Sequence, residues 1–102
     1  MMVQNRKLER ICIEYTGRIF KPIRIPMKNL EITILTKEEI TAIYYADLIG
    51  LKQNDAAEKM GISQASFSRD LNTAHQKIAN ALFHEHAIQF EPEPLEETKE
   101  KD

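Results

Sequence analysis

Cysteine is almost missing from this chain. Cys12 is the only one in 102 residues, so no intrachain disulfide can close and a reducing compartment is the expected setting. Long hydrophobic runs are missing too. None approaches the roughly 20 apolar residues of a membrane-spanning helix, and no secretory signal is visible at the N-terminus. The expectation is a soluble, cytoplasmic protein with no membrane partner. Glycine occurs three times, never in a phosphate-cradling loop. There is no nucleophile elbow and no supported pair of catalytic carboxylates, so neither an enzyme nor a cofactor is expected. His84 and His86 flank Glu85. A metal site needs three or four convergent ligands and Cys12 would have to join them, so no metal ligand is assigned. No internal repeat is visible.

An excess of positive charge is also lacking. The chain carries 14 basic and 16 acidic residues, a formal net charge of −2, which taken whole argues mildly against a nucleic-acid binder. The distribution says more. Residues 1–29 hold seven basic and two acidic side chains, and residues 91–102 hold two basic and six acidic ones. The arm is basic; the acidity lies in the tail and along residues 30–62. The length fits one domain with a modest core, which oligomerisation would help.

The patterning divides the chain into three regions. Residues 1–35 read as a basic arm with short strands. Arg10 to Tyr15 alternates, with Ile11, Ile13 and Tyr15 on one side, as a half-buried strand does. Thr16-Gly17 is a turn signal, and Arg18 to Lys21 returns as the second strand of a short hairpin. Pro22 and Pro26 then break regular structure. Leu30 to Leu35 alternates again, as a further strand or an extended lead-in. Residues 36–90 carry helical spacing and end in Ala87 to Phe90, a short strand whose expected partner is Arg10 to Tyr15, within one chain or across a dimer. Residues 91–102, acidic and proline-bearing, are expected to be disordered.

The helical region divides into three helices. Thr36 and Glu39 form a capping box, with Leu35 and Ile40 as its staple. This first helix is expected to end at Gly50 and to face inward through Ile40, Ile43, Tyr44 and Leu48. Tyr44 and Tyr45 read as packing residues. Asp47 is expected to be solvated, with Arg69 as the alternative partner. A second helix starts near Gln53 without a good cap, Lys52 standing at that position, while Asp55 favours the helix dipole. Gly61 then supplies a φ > 0 turn, and Ser63 caps a third helix running to about Phe83. Its buried stripe is Phe67, Leu71, Ala74, Ile78, Ala81 and Leu82.

The register of Ala57, Gly61, Ile62, Ser63 and Phe67 is that of two helices crossing closely through a short turn. Such a pair is a helix-turn-helix unit, whose second helix commonly enters the DNA major groove. The plainer reading is an αα-hairpin with no nucleic-acid role. The exposed face of the third helix shows Gln64, Ala65, Ser66, Ser68, Arg69 and Asn72. These residue types suit base edges: Arg for guanine, Gln or Asn for adenine, Ala for a thymine methyl. Ser63 suits a phosphate at the helix N-terminus. Lys77 is expected beside the backbone further along. Arg18, Lys21 and Arg24 are expected to contact phosphates from the arm; the plainer reading is a solvated basic face.

Gln53 to Phe67 looks like the helix-turn-helix of phage repressors, and the longer run to Leu82 is more similar to sigma-70 region-4-like domains. From Arg10 to Phe90 the chain resembles a prokaryotic family of small predicted DNA-binding proteins, domain of unknown function 134. The shared segments are FKPxxxP at Phe20 to Pro26, ADLxGL at Ala46 to Leu51, and the turn from Ala56 to Ser63. Its reading helix departs in carrying fewer arginines. The resemblance implies a sequence-specific DNA-binding regulator. The expected fold is mainly α: a three-helix helix-turn-helix domain with a short N-terminal β-hairpin or arm and a short C-terminal strand. The expected partners are double-stranded DNA and a second copy of the chain, whose two-fold axis would match a palindromic site, with RNA polymerase as a further contact. The competing readings are a protein-interaction module without DNA binding, docking on RNA polymerase or another regulator, and a metal or redox sensor built on Cys12 and the histidines.

Overall fold

A computed structural model describes residues 18–92 of the chain. The elements are strand β1 (Ile19–Phe20), a 3-10 turn at Met27–Asn29, strand β2 (Ile32–Leu35), helix α1 (Lys37–Ile43) continuing as a π-helical segment (Tyr44–Ile49), helix α2 (Gln53–Met60), helix α3 (Gln64–His84) and strand β3 (Ala87–Phe90). The fold is mainly helical, with one small sheet. No helix among the described residues is long and apolar enough to cross a membrane.

The capping box forms as its residues predict. Thr36 Oγ1 accepts from the Glu39 backbone N–H at 3.2 Å, and Glu39 Oε1 accepts from the Thr36 N–H at 2.9 Å. Beyond Ile43 the chain leaves plain α-helical geometry. The carbonyl of Tyr45 accepts from the N–H groups of both Gly50 and Leu51, so the last turns are wider than α-helical turns. The wider turn rotates the later side chains. Leu48, expected to face inward, is 73% exposed, and Tyr45 and Ala46 pack on the core with Ile43 instead. Gly50 closes the segment at φ 87°. Glu39, Ile40, Thr41 and Ala42 are all buried, so α1 is surrounded rather than amphipathic, and the Thr41 hydroxyl donates to the Lys37 carbonyl at 2.7 Å.

The sheet has the order β1-β3-β2. β3 pairs antiparallel with β1, Phe20 opposite Ile88, and parallel with β2, Leu35 opposite Phe90. The expected strand at β3 is there, but its partners differ from the expected one. They are β1 and β2 of the same chain rather than residues 10–15, which lie outside the described residues, as does the first strand of the expected hairpin. A parallel pair needs a long crossover, and here α1, α2 and α3 are that crossover. Strands from both sides of the helical region therefore share one sheet.

Two apolar clusters result. Ala42, Ala56, Ala57, Met60, Phe67 and Leu71 fill the three-helix junction. Leu35 and Ile40 join Ile78, Ile88 and Phe90 between sheet and helices, around a half-open hollow of about 220 Å³. Ile43 touches both clusters. Leu82, expected in the buried stripe of α3, is 68% exposed. It lies one step past buried Ala81, and that step of about 100° carries it off the inward face.

Candidate nucleic-acid interface

The turn between α2 and α3 is fixed by its backbone. Gly61 adopts φ 71°. Its N–H reaches the Glu58 carbonyl at 3.1 Å, and the Ile62 N–H reaches the Ala57 carbonyl at 3.1 Å. This pair of bonds satisfies carbonyls that a helix end otherwise leaves orphaned, and the accompanying contact of Ile62 with the core is usual for such an ending. α2 starts at Lys52 with no side-chain cap, as its sequence predicts. α3 starts with one. Ser63 Oγ accepts from the Ser66 N–H at 3.0 Å and donates to Ser66 Oγ at 3.0 Å. Buried Ala56 and Ala57 admit the close crossing, and Phe67 of α3 is wholly buried beneath it.

One set of the sequence-predicted residues is brought together. Gln64, Ala65, Arg69 and Asn72 are exposed along the first turns of α3, with Ser63 beside them and Ser66 and Ser68 half-buried at the margin. Phe67 and Leu71 point the other way, into the core. The face therefore offers a guanidinium, two amides and hydroxyls without an apolar cover.

Lys77 is engaged within the protein. Its Nζ donates to Glu39 Oε1 at 2.9 Å and to the Ile34 carbonyl at 2.9 Å. The lysine ties α3 to α1 and β2, and its charge is matched by a carboxylate that is almost buried. Two of the arm cations also have partners within the protein. Arg18 lies over the Phe90 ring, 5.6 Å from its centroid. Lys21 Nζ donates to the Ile25 carbonyl at 2.7 Å. Lys21 and Pro22 share a groove with Ala81, Leu82 and Glu85, at the far end of α3. From Ser66 to Leu82 the helix rises roughly 24 Å at 1.5 Å per residue. Lys21 and Pro22 thus lie well along α3 from its N-terminal turn.

Sequence reasoning missed one cross-element contact at this interface. His75 Nε2 and Asp47 Oδ2 lie 2.7 Å apart, both partly exposed. Asp47 is neither solvated alone nor paired with Arg69, because the widened π turn aims it at His75, about three turns into α3. No spacing rule announces a contact 28 residues apart. A second contact, Thr33 Oγ1 with His86 Nδ1 at 3.2 Å, joins β2 to the segment entering β3. Among the described residues no three His, Cys, Asp or Glu side chains gather as a metal site.

Three relatives of this chain are each called a UPF0251 protein. A UPF0251 protein of Thermoanaerobacter pseudethanolicus is 47% identical over 72 residues, covering 71% of this chain and 61% of the relative. One from Methanocella arvoryzae is 47% identical over 89 residues, covering 87% of this chain and 53% of the relative. One from Methanosarcina mazei is 42% identical over 86 residues, covering 84% and 51%. The chain thus spans between about half and two thirds of the length of these relatives. No solved structure matches it. The family model described as protein of unknown function DUF134 matches residues 1–97, and with these relatives it makes the chain a member of the DUF134, or UPF0251, family.

Proposed function

We propose that this protein binds double-stranded DNA in a sequence-specific way and acts as a transcriptional regulator in the cytoplasm, α3 reading the major groove as the second helix of a helix-turn-helix. One observation carries the reading. The Gly61 turn and the Ser63 cap hold α3 against α2 while Gln64, Ala65, Arg69 and Asn72 stay exposed on its first turns. That is the arrangement by which such helices present their N-terminal residues to base edges. Arg69 is the group suited to guanine, and Gln64 and Asn72 are suited to adenine.

Selection of bound sequences from random duplex DNA tests it. The wild type is expected to enrich a motif, and Arg69→Ala to relax one position of it at a cost of about 1–3 kcal/mol. Absence of enrichment at low salt, with no salt dependence of binding, would sink the proposal. In the same reading two copies pair on a palindromic site, as homodimeric readers do. Sedimentation showing a strict monomer at micromolar concentration would remove the dimer.

A second reading has its own observation. Leu48 and Ile49 stand exposed at the end of the first helix, an apolar tip suited to docking on a protein such as RNA polymerase rather than on DNA. Leu48→Asp separates the two, since it leaves DNA selection unchanged and abolishes a protein contact made there.

A further inference from the structure

We infer that the loop Pro22–Pro26 enters the minor groove beside the site read by α3, with Ile23 as an apolar wedge between base steps and Arg24 alongside it. The inference rests on the DNA-binding reading of α3 and adds a second contact to it.

Ile23 is 82% exposed. An isoleucine held out in water on a loop tip has no role in the core. Its neighbour Arg24 adopts φ 77°, a conformation that a non-glycine side chain rarely takes, and such outliers persist where the surrounding structure enforces them and tend to mark functional sites. The enforcement is visible. Proline stands at each end, and Lys21 Nζ closes the loop by donating to the carbonyls of Ile25 at 2.7 Å and Pro22 at 3.3 Å. The 3-10 turn Met27–Asn29 comes directly after, its Asn29 N–H bonded to the Pro26 carbonyl at 2.9 Å. The tip is therefore preformed, which lowers the ordering cost of inserting it.

Charge selects the ligand. From Tyr15 to Leu30 the chain carries Arg18, Lys21, Arg24 and Lys28 and no acidic residue. An apolar wedge among cations fits a duplex. Minor-groove binders insert Ile, Leu or Phe between base steps and place Arg in the groove. Position agrees as well. Lys21 and Pro22 line a groove with Leu82 near the end of α3, roughly 24 Å along the helix from Ser66. If α3 lies lengthwise in the major groove, that separation, shorter than the roughly 34–36 Å of one DNA turn, puts an adjacent minor groove within reach of the loop.

The full chain is tested on its selected duplex by hydroxyl-radical footprinting, by bend angle from end-to-end fluorescence transfer, and by competition with a minor-groove-binding drug. Ile23→Ala and Arg24→Gly are compared with wild type; glycine accepts the loop's φ without strain, so the second variant keeps the fold. The wild type is expected to protect the minor groove, to kink the duplex within the roughly 20–90° known for wedges, and to be displaced by the drug. Ile23→Ala should at least halve the bend. Arg24→Gly should weaken binding severalfold and lower the slope of log affinity against log salt by about one. Both variants should keep the motif enriched by α3. If the wild type binds its motif but leaves the minor groove unprotected, and both variants bind and bend like it, the inference falls and the major-groove reading stands. If either variant loses the motif itself, the loop acts through the fold and the inference falls. If the wild type binds no duplex but binds anionic phospholipid vesicles, both readings fall.

Discussion

The carboxylate of Glu39 accepts from the Thr36 N–H that begins α1 and from Lys77 on α3. Removing the lysine leaves a nearly buried carboxylate without its cation, which is costly in a way that removing an exposed partner is not. Lys77→Met keeps the apolar stem. It is expected to lower stability by about 1–3 kcal/mol, read as a shift in the urea midpoint with unchanged slope. Glu39→Gln keeps an acceptor for the cap and should cost less. Gly61 offers a second case. A Cβ there would meet nothing within 4 Å, so Gly61→Ala isolates the backbone cost of φ 71°, about 1–2 kcal/mol. A larger loss in the same titration would mean that the turn is held by more than its dihedral.

At the level of elements, Ser63 decides where α3 begins. Ser63→Ala should cost about 1 kcal/mol, and amide exchange should rise at Ser66, whose N–H bonds to the Ser63 hydroxyl, while residues past Leu71 stay protected. β3 has a wider role. It is the central strand of the sheet, so β1 and β2 have no other strand partner among the described residues. A chain ending at His86 is expected to lose cooperative unfolding by circular dichroism; a sharp melt retained by that truncation would show that the sheet is ornamental. The elements differ in how far the sequence announces them. The capping box at Thr36, the turn at Gly61 and the cap at Ser63 are local chemistry, written in a few adjacent residues, and all three are legible. So is the strand character of Ala87 to Phe90. The pairing of β3 is not, because it is chosen by where the three-helix crossover delivers the chain. The π segment is not legible either. Tyr44 to Ile49 fits an α-helical spacing, and only the fit of Tyr45 and Ala46 into the helix junction selects the wider turn. That choice moves Leu48 outward and brings Asp47 to His75. The exposed face of α3 is legible for the same reason the turn is: its residues succeed one cap. The destinations of Lys77 and Arg18 required the tertiary fold.

For the whole molecule, charge is the deciding quantity. Residues 1–17 carry Arg6, Lys7 and Arg10. If DNA binding draws on all three, removing that segment lowers the salt slope by roughly 0.9 for each phosphate no longer neutralised. The expected result is a weaker complex with the same preferred sequence, measured by titration at several salt concentrations. A shifted sequence preference would place these residues at base edges instead. Finally, α3 is a single rod, gripped by the sheet at its far end and open to solvent on its outer face near Ser66. Such a rod is a lever. With an arm of roughly 24 Å, tilting it by about 8° at the sheet carries its tip through about 3.4 Å, the spacing of one base along a DNA strand. If α3 reads DNA as proposed, and the junction at Phe67 and Leu71 moves with it, small repacking around Ile78, Ile88 and Phe90 would be magnified into a shift of its tip by about one base.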